Sequence, residues 1–77
     1  MKIVLLTTSG ILGIDLREIN QFDCINTEMK NEDAEYMYKL KYKNSGGFYY
    51  EYTLLESEAK KLADSWHEFG KRQLLNG

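Results

Sequence analysis

Few of the 77 residues combine the types and spacing that chemistry requires. His67 is the only histidine, with Asp64 three positions earlier and Glu68 beside it. On a helix that spacing puts an imidazole and a carboxylate on neighbouring positions, the raw material of a metal site or a proton relay. No second histidine or cysteine cluster joins them, so a surface hydrogen bond is the plainer reading. Cys24, the sole cysteine, would need a lowered pKa and a positioned base to act as a nucleophile. Its apolar-leaning neighbourhood instead suggests a buried thiol in a reducing compartment. Ser9, Gly10 and Gly13 lack the lysine and spacing of a phosphate loop and read as turn residues. The adjacent carboxylates Glu32 and Asp33 fall in a polar reversal. These residues give no basis for catalytic, metal or cofactor sites, and no enzyme activity is expected.

Binding has more material. Lys39, Lys41 and Lys43 alternate along one segment, and Tyr49 follows close by. Lysines beside an aromatic can track a single-stranded backbone and stack a base. Against this, twelve acidic residues outnumber ten basic ones, which disfavours a chain whose main work is neutralising phosphates. Residues 1–34 hold three basic and six acidic residues, residues 35–77 seven and six, so one acidic edge would guide docking rather than catalysis.

The elements that position these groups are legible from periodicity. Residues 34–55 contain all six tyrosines. From 35 to 43, Tyr36, Tyr38, Leu40 and Tyr42 alternate with Glu35, Met37, Lys39, Lys41 and Lys43, which is strand periodicity. A second alternation sets Phe48, Tyr50, Tyr52 and Leu54 against Tyr49, Glu51, Thr53 and Leu55. Asn44, Ser45, Gly46 and Gly47 between them signal a turn. A three-residue loop over 44–46, with Gly46 left-handed, pairs Tyr42 with Phe48, Leu40 with Tyr50, Tyr38 with Tyr52 and Tyr36 with Leu54. One face is then wholly aromatic and aliphatic, and Lys39 opposes Glu51 while Lys41 opposes Tyr49. Tyr36, Tyr38, Tyr50 and Tyr52 are expected in or beside the core. Tyr42 and Tyr49, nearest the turn, are expected as exposed contacts.

After residue 55 the period changes. Ala59, Leu62, Ala63, Trp66 and Phe69, continuing towards Gln73 and Leu74, form one stripe of a helix of four to five turns, and charged residues including Lys71 and Arg72 fill the other sides. Ser57 is the candidate cap. Trp66 and Phe69 are the largest wedges against the tyrosine face, with an exposed binding anchor as the alternative role for Trp66. Residues 2–8 and 22–29 read as strands. Residues 11–19 are open between strand, short helix and irregular packing.

Together these elements predict one α+β domain over residues 1–77, with a three- or four-stranded mainly antiparallel sheet and a C-terminal amphipathic helix packed on one face. The longest purely apolar run, Ile3 with Val4, Leu5 and Leu6, is too short to span a bilayer or to serve as a signal-peptide core, so a cytoplasmic location without membrane association is expected. A chain of this size buries only about 60–65% of its extended surface, which makes association a useful source of stability. The functional expectation is a small protein-interaction module, a regulator or inhibitor of a larger protein or a homodimer. The likeness to compact inhibitors that phages direct at host enzymes is one of size and composition alone. Its contact residues are expected to be Met37, Tyr49, Thr53 and Leu55, with Glu32 and Asp33 as an acidic rim. The alternative is a nucleic-acid-binding accessory protein using Lys39, Lys41, Lys43 and Tyr49.

Overall fold

The computed structural model describes the backbone of residues 1–76 and the side chains of residues 1–70. The expected contributions of Lys71, Arg72, Gln73 and Leu74 lie outside the described side chains. Five strands, β1 (Lys2–Thr7), β2 (Gly10–Asp15), β3 (Ile19–Lys30), β4 (Tyr36–Asn44) and β5 (Tyr49–Leu55), form an antiparallel sheet in the order β2-β1-β5-β4-β3. A short 3-10 turn, Leu16–Glu18, links β2 to β3, and helix α1 (Glu56–Asn76) follows β5 directly. The architecture is α+β, with five strands rather than three or four.

The additional strand is β2. Thr8 and Ser9 make the reversal, with the Thr7 hydroxyl donating to Gly10 O at 2.8 Å and accepting from Ser9 N–H at 3.1 Å. Gly10 takes a φ of 130°, whereas Gly13 lies within β2 opposite Val4 rather than in a turn. Leu12 and Ile14 alternate inward from this strand, and Leu16 continues the burial from the 3-10 turn. The sequence there is too short and glycine-broken for its period to be read alone.

The loop between β4 and β5 has the expected length but begins one residue later. Asn44 N–H donates to Phe48 O, Gly47 N–H donates to Asn44 O, and Phe48 N–H donates to Asn44 Oδ1, each at 3.0 Å. Gly47, not Gly46, is left-handed at φ 86°. This placement uses the Asn44 side chain as a backbone acceptor while still giving the left-handed position to glycine. Every cross-strand pair moves by two: Tyr42 faces Tyr50, Leu40 faces Tyr52, Tyr38 faces Leu54, Lys41 faces Glu51 and Lys43 faces Tyr49. An even shift keeps each residue on its expected face.

The β3–β4 turn repeats this chemistry without a glycine. Asn31 N–H donates to Glu35 O at 2.9 Å, Ala34 N–H to Asn31 O at 3.1 Å, and Glu35 N–H to Asn31 Oδ1 at 2.9 Å. Ala34 occupies the left-handed position at φ 60°. The two turns make a matched test. Gly47→Ala is expected to destabilise by about 1 kcal/mol and Ala34→Gly to stabilise by about 0.5 kcal/mol, because a Cβ is strained at positive φ while glycine adds unfolded-state entropy. Urea unfolding midpoints moving in opposite directions would bear this out; midpoints moving the same way would refute it.

The core is built on leucine. Leu5, Leu16, Leu40, Leu54 and Leu62 are the largest fully buried side chains, joined by Ile14, Ile19, Tyr42 and Ala59. The tyrosines mostly fringe it: Tyr36, Tyr38 and Tyr52 are half-buried and Tyr50 is exposed. Tyr42, expected as an exposed contact, is instead the buried one at 9% exposure, because its inward face meets Tyr50 at 5.1 Å and Tyr52 at 6.3 Å between ring centroids. Desolvation, then the neighbouring Tyr52 and Tyr50, push its phenol pKa up. Phe48, expected opposite Tyr42, is 66% exposed because the later turn places it opposite Asn44.

Helix α1 supplies Ala59 and Leu62 to the buried cluster, with Trp66 and Phe69 packed at its margin. Its first turn is tied down from the sheet: Ser57 donates its N–H to Glu35 Oε1 at 2.9 Å. The capping carboxylate thus comes from the β3–β4 turn, and Ser57 is inside the helix rather than capping it. The helix also completes the sheet. β1 meets β5 at one bridge, Thr7 with Leu54, and then departs from it. Glu58 Oε2 accepts Leu6 N–H at 3.0 Å and Lys61 Nζ donates to Val4 O at 2.6 Å, so helix side chains satisfy backbone groups where the neighbouring strand ends.

Candidate functional site

The face of the sheet opposite the leucine core carries the most distinctive surface. Alternation sends Met37, Lys39, Lys41 and Lys43 of β4 and Tyr49, Glu51, Thr53 and Leu55 of β5 to this side. Met37 and Leu55 are directly opposed and half-buried, and Thr53 lies next along β5. The structure thus brings together three of the expected contact residues. Tyr49 stands apart, 74% exposed at the turn end of β5, six positions or about 20 Å along the strand from Leu55. Glu32 and Asp33 are exposed in the β3–β4 turn, whose Asn31 holds the Asp33 N–H at 3.0 Å.

The outer face extends beyond these residues. The inward bridge between Thr7 and Leu54 turns their chain neighbours Leu6 and Leu55 outward. Leu6 in turn opposes Ile11, and on the other side Met37 lies one rung from the Ile25–Lys39 pair. Ile11, Leu6, Leu55, Met37 and Ile25 therefore form an apolar stripe drawing on all five strands. Ile11 is 77%, Leu6 57% and Ile25 56% exposed, with Val4 at 54% beside them. Sequence reasoning missed Leu6, Ile11, Ile25 and Val4. The available signal was the unbroken apolar run of residues 3–6, which gives this strand two apolar faces where the core needs only one.

Electrostatics divide the same face. Lys41 is flanked across the sheet by Asp23 and Glu51, and Lys39 Nζ reaches Glu51 Oε1 at 3.0 Å although its direct partner is Thr53. The Lys39 hydrogen bond and charge hold the Glu51 carboxyl below the usual range. Lys43 Nζ sits 5.5 Å over the Tyr49 ring. Lys39 is thus paired with a carboxylate and Lys43 with an aromatic ring, while Lys41 stands between two acidic positions. Lys30 similarly lies over Tyr36 at 4.8 Å.

The chemically capable residues remain dispersed. Cys24 is half-buried on the inner face, where desolvation raises its thiol pKa and works against thiolate formation. His67 is exposed on α1. Asp15 is held well below the usual carboxylate range by the Arg17 side chain and backbone N–H, with Arg17 Nη2 at 2.8 Å from Asp15 Oδ2. That guanidinium is committed to its own carboxylate beside the shallow depression lined by Lys2, Ile3 and Val4. Among the described residues, no cluster of three or more His, Cys, Asp or Glu residues is arranged to hold a metal ion. Nor is any described helix long and apolar enough to cross a membrane.

No protein-family model matches the chain, and no curated protein or solved structure shows a significant match to it.

Proposed function

We propose that this protein is an interaction module that regulates or inhibits a larger protein by covering part of its surface, without catalysing a reaction. The observation that carries this reading is the apolar stripe of Ile11, Leu6, Leu55, Met37 and Ile25 on the outer sheet face. A small domain gains by keeping such side chains inside, so their alignment across the strands favours a surface meant to be covered. The Lys39–Glu51 ion pair and the position of Lys41 between Asp23 and Glu51 favour a protein partner over a nucleic acid, because phosphate binding would compete with those acidic neighbours. Glu32 and Asp33, near the Met37 end of the face, would form its acidic rim.

The test is capture from a nuclease-treated lysate of the native host, with a Leu6→Ser, Ile25→Ser variant run in parallel. Both side chains are exposed, so the variant should fold. A retained protein should bind the variant about tenfold more weakly or worse, the loss expected when contact residues worth 1.4 kcal/mol or more are removed. Retention that is unchanged in the variant, or that depends on nucleic acid surviving in the lysate, would overturn the reading.

A further inference from the structure

We propose that the free edge of β2 pairs antiparallel with β2 of a second copy of this chain, joining the two sheets across a two-fold axis at Leu12. The inference goes beyond the partner reading above and uses a different feature, the backbone edge rather than the outer face.

The backbone groups of β1 alternate in direction along the strand. Leu6 N–H points to Glu58, Val4 O to Lys61 and Thr8 N–H to Thr53 O, all away from β2. Alternation therefore turns the groups of Ile3, Leu5 and Thr7 towards β2, where their register partners are Ile14, Leu12 and Gly10. The N–H and C=O of Ile11 and Gly13 consequently project from the opposite edge. Among the described residues, no hydrogen bond reaches them. An open row of this kind is a template for another strand.

The two edges of the sheet differ in how they resist such pairing. β3 has register shifts between Ile19 and Gln21 and between Asn26 and Lys30, a left-handed Glu28 at φ 64°, and Asp23 within its regular segment. Bulges and charges of this type blunt an edge. β2 reads Gly10-Ile11-Leu12-Gly13-Ile14 before its first charged residue, with no proline and no register shift against β1.

The sequence of β2 also fits itself. With Leu12 opposite Leu12 of the second copy, Ile11 faces Gly13 of that copy and the reciprocal pair forms across the axis. The outward groups of these four residues then bond one another, and every side chain stays on its own face. A Cβ at Gly13 would meet nothing within 4 Å, so the space beside Val4 is open to the incoming Ile11 side chain. Asp15 falls opposite Ser9 instead of another Asp15, so the register brings no like charges together. A second copy is therefore the occupant that fits this edge.

Sedimentation equilibrium, extended to about 1 mM, tests the pairing. The wild-type chain should approach twice its 9.0 kDa mass. Gly13→Pro removes an outward N–H without touching the β1 ladder or the apolar stripe, and should return the mass to that of one chain with an unchanged far-ultraviolet spectrum. If that variant does not fold, amide exchange in the wild type decides: the Ile11 and Gly13 amides should slow as concentration rises, while those of Leu5 and Leu12 stay constant. A monomeric wild type overturns the proposal, as does a folded Gly13→Pro dimer or a dimer whose Gly13 amide still exchanges freely. Capture that survives in Gly13→Pro but fails in Leu6→Ser, Ile25→Ser would leave the partner reading intact, so the two proposals fail separately.

Discussion

Leu54→Ala is expected to cost about 3–5 kcal/mol, enough to leave much of the isolated chain unfolded. Leu54 is 0% exposed, opposes Tyr38 in β4 and bridges Thr7 in β1. It therefore joins the β1–β2 hairpin to the three-stranded part of the sheet, two positions before the helix begins. Removing its branched end loses transfer energy and leaves a cavity that three elements would have to collapse together. Typical stabilities scale to about 4–11 kcal/mol for a chain of this length, so the predicted cost is a large share of the total. Leu55→Ala, the next residue but on the outer face, is expected to cost about 1 kcal/mol or less because that side chain is already partly in water. Urea unfolding of the two variants is the check. Similar midpoints would mean that the inner and outer faces are wrongly assigned.

That contrast shows what periodicity could and could not reveal. The alternation of residues 35–55 predicted which side of β4 and β5 each residue occupies, and an even error in register left those sides intact. It did not predict which inward residues are fully buried, because burial depends on what covers them. Tyr42 is buried by its neighbours Tyr50 and Tyr52 and by its place beside Ile19 and Ile14, elements whose structure was unread. The candidate surface was half legible for the same reason. Met37, Thr53 and Leu55 were visible as outer-face residues of one hairpin. Leu6, Ile11 and Ile25 joined them only through pairings between distant segments, and no local pattern encodes the Thr7–Leu54 bridge. The reversal around Asn31 was legible from its polar residues, but its left-handed position was not, because alanine, a poor signal for positive φ, stands where glycine stands in the turn at Asn44.

Trp66→Ala should cost about 2–3 kcal/mol, less than for a fully buried tryptophan because Trp66 is only half-buried. Its ring meets Phe22 edge-on at 4.8 Å and Phe69 at 5.8 Å between centroids, pinning the helix to the inner side of β3. Paired removal of Trp66 and Phe22 should reveal a coupling of about 1 kcal/mol, since each single substitution already abolishes the same edge-to-face contact. The measurement distinguishes two roles for the residue. If Trp66 is a wedge, its loss lowers the urea midpoint, and a folded Trp66→Ala protein still captures the partner through the outer face. If it is a binding anchor, stability is unchanged and capture is lost. The Phe22 contact favours the wedge: an anchor gains from leaving a large aromatic available, whereas here the indole already packs against Phe22 and Phe69 within the chain.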